Sequence, residues 1–189
     1  MTHLLPPDPW QKVRTLHDLP ADEVISTLQK EIRRGNVENA ALVAYELATT
    51  SPELEAKLWQ RLYVIAVEDI GMGEPMAPVL VQSLGEMRMA FSYGMGDREL
   101  FSIHAVRYLC ACQKDRSSDE MLNWIKLAEE KEGLRPAIPD YAIDMHTGRG
   151  AKMGRGLQHF FEEGARTHPE LEGRETGYRE RLLKLLSKD

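Results

Sequence analysis

The most unusual chemistry of the sequence is concentrated in residues 146–159, called the basic segment below. It holds two histidines, four glycines and three fixed positive charges, with no Asp or Glu, in a chain of net charge −6. Arginine or lysine at intervals of three presents a row of donors to phosphates, and glycine lets the backbone approach an anion closely. We interpret the segment as a candidate phosphate or nucleic-acid site formed by His146, Arg149, Lys152, Arg155 and His159.

Two other interpretations of the basic segment stay open. The segment could dock against an acidic surface of its own protein or of another subunit, or its glycines could serve tight turns and helix caps. It is not a P-loop, because residues 148–152 lack the GK[ST] ending and the preceding strand. We therefore expect no ATPase activity from this chain alone.

An enzymatic alternative rests on the two histidines of the segment. His146 or His159 could act as acid and base on a phosphorylated compound, because histidine titrates near neutral pH. No nucleophile or metal-ligand set lies beside them at a recognisable spacing. The sequence therefore predicts no catalytic residue, metal or cofactor. His104, among apolar neighbours, is interpreted as a core or interface histidine.

Adjacent carboxylates, Glu68 and Asp69, follow the most regular helical pattern of the chain. The helix dipole disfavours anions at a C-terminal end, so these groups need a partner. A metal site would need further oxygen ligands, which are not evident nearby. We predict a structural polar pair, with Asp69 capping the next loop or meeting an arginine such as Arg61 or Arg107.

Composition places the chain among ordinary globular proteins. Its 189 residues are 42% hydrophobic and 29% charged, and the acidic balance argues against a surface that coats nucleic acid. Cys110 and Cys112 point in different directions on a helix, so we expect free thiols. Residues 1–10 lack the apolar core of a secretory signal, and no stretch is long and apolar enough for a membrane span. We expect a cytoplasmic protein without a membrane partner.

Helical periodicity dominates the chain, and alternating strand patterns are nearly absent. We predict an all-α, compact array of seven to nine short helices, with the helix over residues 51–68 buried at its centre. The N-cap and proline of Ser51-Pro52 precede its stripe of Leu54, Leu58, Leu62 and Ile65. We divide the chain into an extended, Pro-rich arm (1–17), a helical domain (18–132), and the basic segment with C-terminal helices packing on the same domain (133–189).

Three stretches carry a family resemblance: residues 28–36 (LQKEIRRGN) with 39–42 (NAAL), residues 61–71 (RLYVIAVEDIG), and residues 104–109 (HAVRYL) with Lys114. Together they resemble the C-terminal, non-ATPase domain of the replication-associated recombination protein A group. These AAA+ proteins are similar to the eukaryotic Werner-helicase-interacting protein. The likeness covers roughly residues 20–130. Beyond it, residues 153–156 and His159 are only loosely similar to the Gly/Lys-rich tail of the family, and its Tyr-rich ending is absent.

The resemblance implies a helical module similar to the oligomerising collar of clamp loaders, in a family that acts at stalled forks and DNA ends. We therefore expect a non-catalytic oligomerising or binding module that looks like a stand-alone version of that domain. The expected partners are further copies of itself, as a homotetramer or dimer, together with DNA or replication-fork proteins. No catalytic residue carries over, because those of the family lie in its ATPase part.

Overall fold

The computed structural model describes residues 8–187, and these residues are almost wholly helical. The described chain contains no named strand and a single isolated β-bridge, between Arg14 and Pro20. This confirms the predicted all-α fold of short helices. The chain divides into two compact units, the first ending at Glu132 and the second beginning at Gly133.

Six α-helices build the first unit, and their ends follow local sequence chemistry. Gly35 ends the first helix in the left-handed region at φ 73°, which favours glycine. Ser51 begins the third by accepting a hydrogen bond from Leu54 N at 3.2 Å, with Pro52 at the first helical position. The helices are α1 (Ala21–Arg34), α2 (Val37–Thr50), α3 (Pro52–Ile65), α4 (Ala77–Met87), α5 (Gly96–Ala111) and α6 (Ser117–Glu132).

The core of this unit surrounds α3. Leu54, Leu58, Leu62 and Ile65 are fully buried, in agreement with the predicted central helix. The helix α5 is buried on one face only, and Leu100 is 63% exposed. The buried face of α5 carries Ala105, Val106 and Leu109.

The predicted N-terminal arm lies partly outside the described residues. From Asp8 onward the chain is folded rather than extended, with a 3-10 turn at Pro9–Lys12 and Trp10 packed against the core. The buried carboxylate of Glu46 on α2 accepts a hydrogen bond from His17 N at 2.9 Å. The turn that leads into α1 is therefore fixed to the helical unit.

The second unit contains shorter elements. A 3-10 turn at Asp140–Ala142 precedes α7 (Gly148–Lys152) and α8 (Leu157–His159), and the last helix is α9 (Gly177–Leu186). A π-helical turn, Phe160–Gly164, continues α8. Phe160 and Phe161 are half-buried and in edge contact, with ring centroids 5.1 Å apart. No helix in residues 8–187 is long and apolar enough to cross a membrane.

Candidate functional sites

Glu68 and Asp69 lie in a π-helical turn, Ala66–Ile70, that continues directly from α3. Asp69 is fully buried, and its Oδ1 accepts hydrogen bonds from Arg33 Nε and Arg116 Nη1, each at 2.5 Å. Its arginine partners are thus not the two named from the sequence. A π-turn shifts side chains relative to a regular helix, which sequence spacing does not reveal.

Glu68 completes the same network. It pairs with Arg33 at 3.2 Å and with Arg116 at 3.1 Å, while Gln29 Nε2 donates to Glu68 at 2.8 Å and to Asp69 at 2.9 Å. We call Gln29, Arg33, Glu68, Asp69 and Arg116 the carboxylate clasp. It joins α1, the π-turn and the residue before α6.

The clasp is balanced, with two carboxylates facing two arginines, and a buried charge requires such pairing. In the described part of the chain, no group of three or more His, Cys, Asp or Glu side chains could hold a metal ion. Arg61 contributes indirectly, by donating to the side-chain oxygen of Gln29.

The loop before α6 is fitted against the π-turn. Asp115 N donates to the Asp69 carbonyl at 3.0 Å, and a Cβ at Gly71, where φ is +52°, would overlap the Asp115 carbonyl oxygen. Lys114 Nζ caps the end of α5 by donating to the carbonyls of Leu109, Cys110 and Cys112 at 2.9, 3.1 and 2.6 Å. The start of α6 is therefore fixed by backbone contacts as well as by Arg116.

A second buried ion cluster escaped the sequence analysis. Arg98 binds both carboxylate oxygens of Glu55 at 2.8 and 2.9 Å, and Arg88 Nη1 reaches Glu55 at 3.0 Å. The guanidinium of Arg88 also lies 5.0 Å from the ring centroid of Trp59, and burial lowers its pKa. The one available sign was a carboxylate at position 55, directly beside the buried stripe of α3.

Arg155 of the basic segment is directed inward rather than towards solvent. Its side chain is 15% exposed, and Nη2 binds the two Asp140 carboxylate oxygens at 2.8 and 2.7 Å. Nη1 donates to the carbonyls of Asp140 and Ile143 at 2.8 and 2.6 Å. The hydrogen bonds from Arg155 to the carboxylate of Asp140 lower the pKa of that carboxyl. Arg155 therefore stabilises the fold of the segment.

Glycine and threonine residues shape α7. Thr147 Oγ1 accepts from Gly150 N at 3.0 Å and caps the helix, and Gly154 follows it with φ +72°. Gly150 is buried, and a Cβ there would overlap the Asp144 carbonyl oxygen. These two glycines have turn and packing roles, as in the second alternative above.

The four other candidate residues of the basic segment differ in environment. His146 is exposed, with Nδ1 3.1 Å from Asp144 Oδ2, and His159 is half-buried with no hydrogen-bond partner for Nδ1 among the described residues. Arg149 and Lys152 are exposed and form no ion pair within residues 8–187. The segment therefore offers two cations to solvent instead of three.

His104 and the two cysteines lie in and around α5. His104 is exposed, so the core alternative of its prediction is wrong and the interface alternative stays a prediction. With Arg107 and Tyr108 it lines an open cavity of about 500 Å³. The cysteines are free, and burial raises the pKa of Cys110 to about 11. That thiol stays protonated at neutral pH and is a poor nucleophile.

The helix α6 exposes an apolar surface that the sequence analysis did not single out. Only Ala128 of its 16 residues is buried. A groove of about 490 Å³ between α6 and the end of α3 is lined by Tyr63, Val64, Val67 and Leu122. Five large apolar side chains of α6 are between 43% and 61% exposed: Met121, Leu122, Trp124, Ile125 and Leu127.

The first unit is thus all-α, with two buried ion clusters and an exposed apolar surface on its last helix, α6. No protein-family model matches the chain. The chain is 32% identical over 152 residues to replication-associated recombination protein A from Bacillus subtilis (strain 168). The match covers 79% of this chain and 35% of that relative. The chain is therefore related to the replication-associated recombination protein A family, as its sequence predicted, and spans about a third of the length of the relative.

Proposed function

We propose that this chain is a non-catalytic assembly module of a replication- and recombination-related protein, and that it self-associates through α6. The observation that carries the proposal is the row of exposed apolar side chains on α6, which includes Trp124 at 58% exposure. Contiguous exposed apolar surface marks interaction sites, and tryptophan is enriched among residues that dominate binding energy. The assembly is a homotetramer or a dimer.

The carboxylate clasp supports this proposal by fixing the beginning of α6. Arg116, the residue before α6, is held by Glu68 and Asp69, and its Nη2 also binds Asp119 at 2.5 Å in the first turn of the helix. A helix fixed in this way presents its apolar face without a further ordering cost, which favours binding. Glu68 and Asp69 act as positioning residues in this proposal.

Sedimentation velocity at micromolar concentration tests the assembly directly. We expect the wild-type chain to sediment as a species larger than its 21.5 kDa monomer. Replacement of Trp124 and Ile125 by Ser should shift it to a monomer with unchanged helicity by circular dichroism. The control Leu100→Ser replaces a large apolar side chain on α5 that is 63% exposed, and it should leave the assembly intact. A monomeric wild-type protein would overturn the proposal.

A second proposed activity is weak contact with DNA phosphates, and its support is the exposure of Arg149 and Lys152 without ion pairs in the described chain. Because Arg155 is engaged by Asp140, two cations per chain are available. Binding should be insensitive to sequence and strengthened by assembly, and log affinity should fall with log salt at a slope of about −2 per chain. Replication-fork proteins are the other proposed partners.

The enzymatic alternative gains no comparable support. A site for a phosphorylated compound would need the histidines and cations of the basic segment to converge on one ligand. Instead, Arg155 and His146 face the carboxylates of Asp140 and Asp144. We therefore do not propose a reaction for this segment.

A further inference from the structure

The charge of α6 restricts what can cover its apolar face. The helix carries five acidic and two basic residues, and helical spacing places Glu132 at the C-terminal end of the row of Met121 and Ile125, with Glu120 on the Trp124 side of that row. Two α6 helices packed against each other would bring like charges together, which opposes association. The fitting occupant is an apolar helix with a basic face.

The helix α9 of this chain has that chemistry. Tyr178 and Leu185 are 76% and 64% exposed, and together with Arg181 they lie at helical spacing on one face. The Arg181 guanidinium lies 5.8 Å from the Tyr178 ring centroid, and Lys184 is exposed beside them. This outer face is therefore both apolar and basic.

The opposite side of α9 is held within its own unit. Leu182, Leu183 and Leu186 are half-buried, and Arg179 Nη2 donates to the Phe161 carbonyl at 2.8 Å. The outer face is thus presented by a supported helix. Its 10 residues span about 15 Å, which fits along the roughly 24 Å of the 16-residue α6.

We propose that in the assembly α9 of one copy lies along the apolar stripe of α6 in a second copy. Tyr178 and Leu185 cover the apolar row around Met121 and Ile125, and Arg181 and Lys184 meet Glu120 and Glu132. The groove lined by Tyr63, Val67 and Leu122 extends the apolar surface available to the incoming helix. The inference rests on the proposed self-association and names the element that supplies the contact.

A charge-reversal experiment with mixing of two variants tests the contact. The first variant carries Glu120→Lys and Glu132→Lys, and the second carries Arg181→Glu and Lys184→Glu. Each variant alone places like charges at the contact, so self-association should weaken at least about tenfold. An equimolar mixture should assemble again, because each reversed helix then meets an opposite charge on the other copy. Native mass spectrometry of differently tagged copies detects the mixed species.

Rescue on mixing can only arise from contacts between copies, so it separates them from contacts made within one chain. The matched control carries Glu130→Lys and Glu172→Lys, the same change in charge away from the stripe, and should assemble like the wild type. Circular dichroism checks that all variants remain helical.

Three results overturn the inference or its basis. If the α9 variant assembles normally, or if mixing restores nothing, α9 is not the occupant, while self-association through α6 still stands. If the wild type is a monomer, the proposed function itself fails.

Discussion

The carboxylate clasp and the basic segment place their charges in opposite environments. In the clasp, Asp69 is fully buried and receives hydrogen bonds from two arginines and a glutamine. In the basic segment, Arg149 and Lys152 lie in solvent, and Arg155 alone is directed inward. Water satisfies an exposed charge, whereas a buried charge must find protein partners.

The two regions also differ in how far apart their partners lie in the sequence. Asp69 meets Arg33 and Arg116, which are 36 and 47 residues away. Arg155 meets Asp140 only 15 residues away. The clasp therefore fixes tertiary structure, whereas the basic segment is organised locally and leaves Arg149 and Lys152 exposed.

The largest effect should follow loss of the buried carboxylate. Asp69→Ala leaves Arg33 with Glu68 alone and Arg116 with Glu68 and Asp119, and breaking a buried ion pair costs about 3–5 kcal/mol of unfolding free energy. Urea unfolding followed by circular dichroism measures the loss. Asp119→Ala is the matched control, because Asp119 also binds Arg116 but is partly exposed, and it should cost less than about 1 kcal/mol. Equal losses would contradict the buried, partner-dependent role of Asp69.

A smaller effect should follow overpacking of the basic segment. Gly150→Ala forces a Cβ against the Asp144 carbonyl oxygen and should cost about 1–3 kcal/mol, with faster amide hydrogen exchange over residues 147–155. In the Gly156→Ala control the new Cβ meets no atom within 4 Å, so exchange should be unchanged. Unchanged exchange in Gly150→Ala would show that the segment is not organised around α7.

Removal of the two solvent-facing cations should leave stability nearly unaltered. Arg149→Ala with Lys152→Ala should change unfolding free energy by less than about 0.5 kcal/mol, because both side chains are exposed. Fluorescence anisotropy with labelled DNA should show the salt slope reduced by about 2 per chain. Arg155→Ala should instead loosen the fold of the segment. If the variant with both Arg149→Ala and Lys152→Ala retains full DNA affinity, Arg149 and Lys152 do not contact the DNA phosphates.

The smallest effect concerns protonation of Asp140. Arg155 holds the pKa of this carboxyl below its ordinary value of 3.8, so the ion pair stabilises the fold above pH 3.8 and its contribution is lost as the pH falls through the lowered pKa. In Arg155→Ala, the pKa of Asp140 measured by NMR should rise towards 3.8, whereas Arg174→Ala should leave it unchanged. An unshifted Asp140 in Arg155→Ala would show that the pair does not form in solution.

Local chemistry made much of the fold predictable. Gly35 ends α1 and the Ser51-Pro52 pair begins α3, each through its own backbone preferences. The leucines of α3 follow a spacing that requires burial of one face, and Leu62 is fully buried as a result. The family resemblance was equally readable, because residues 61–71 form a continuous stretch.

Only the tertiary structure decided which charges meet and which surfaces remain open. The partners of Asp69 could not be chosen from the sequence, because every arginine satisfies the same chemical requirement and the π-turn alters the spacing. His104 and Leu100 proved exposed although their neighbours are apolar, since a periodic pattern does not say which face the other helices cover. The sequence by itself determined the helices, whose caps and stripes are local. Burial of a given charge or face depends on packing between distant elements, and that packing placed Arg155 inward and left α6 open.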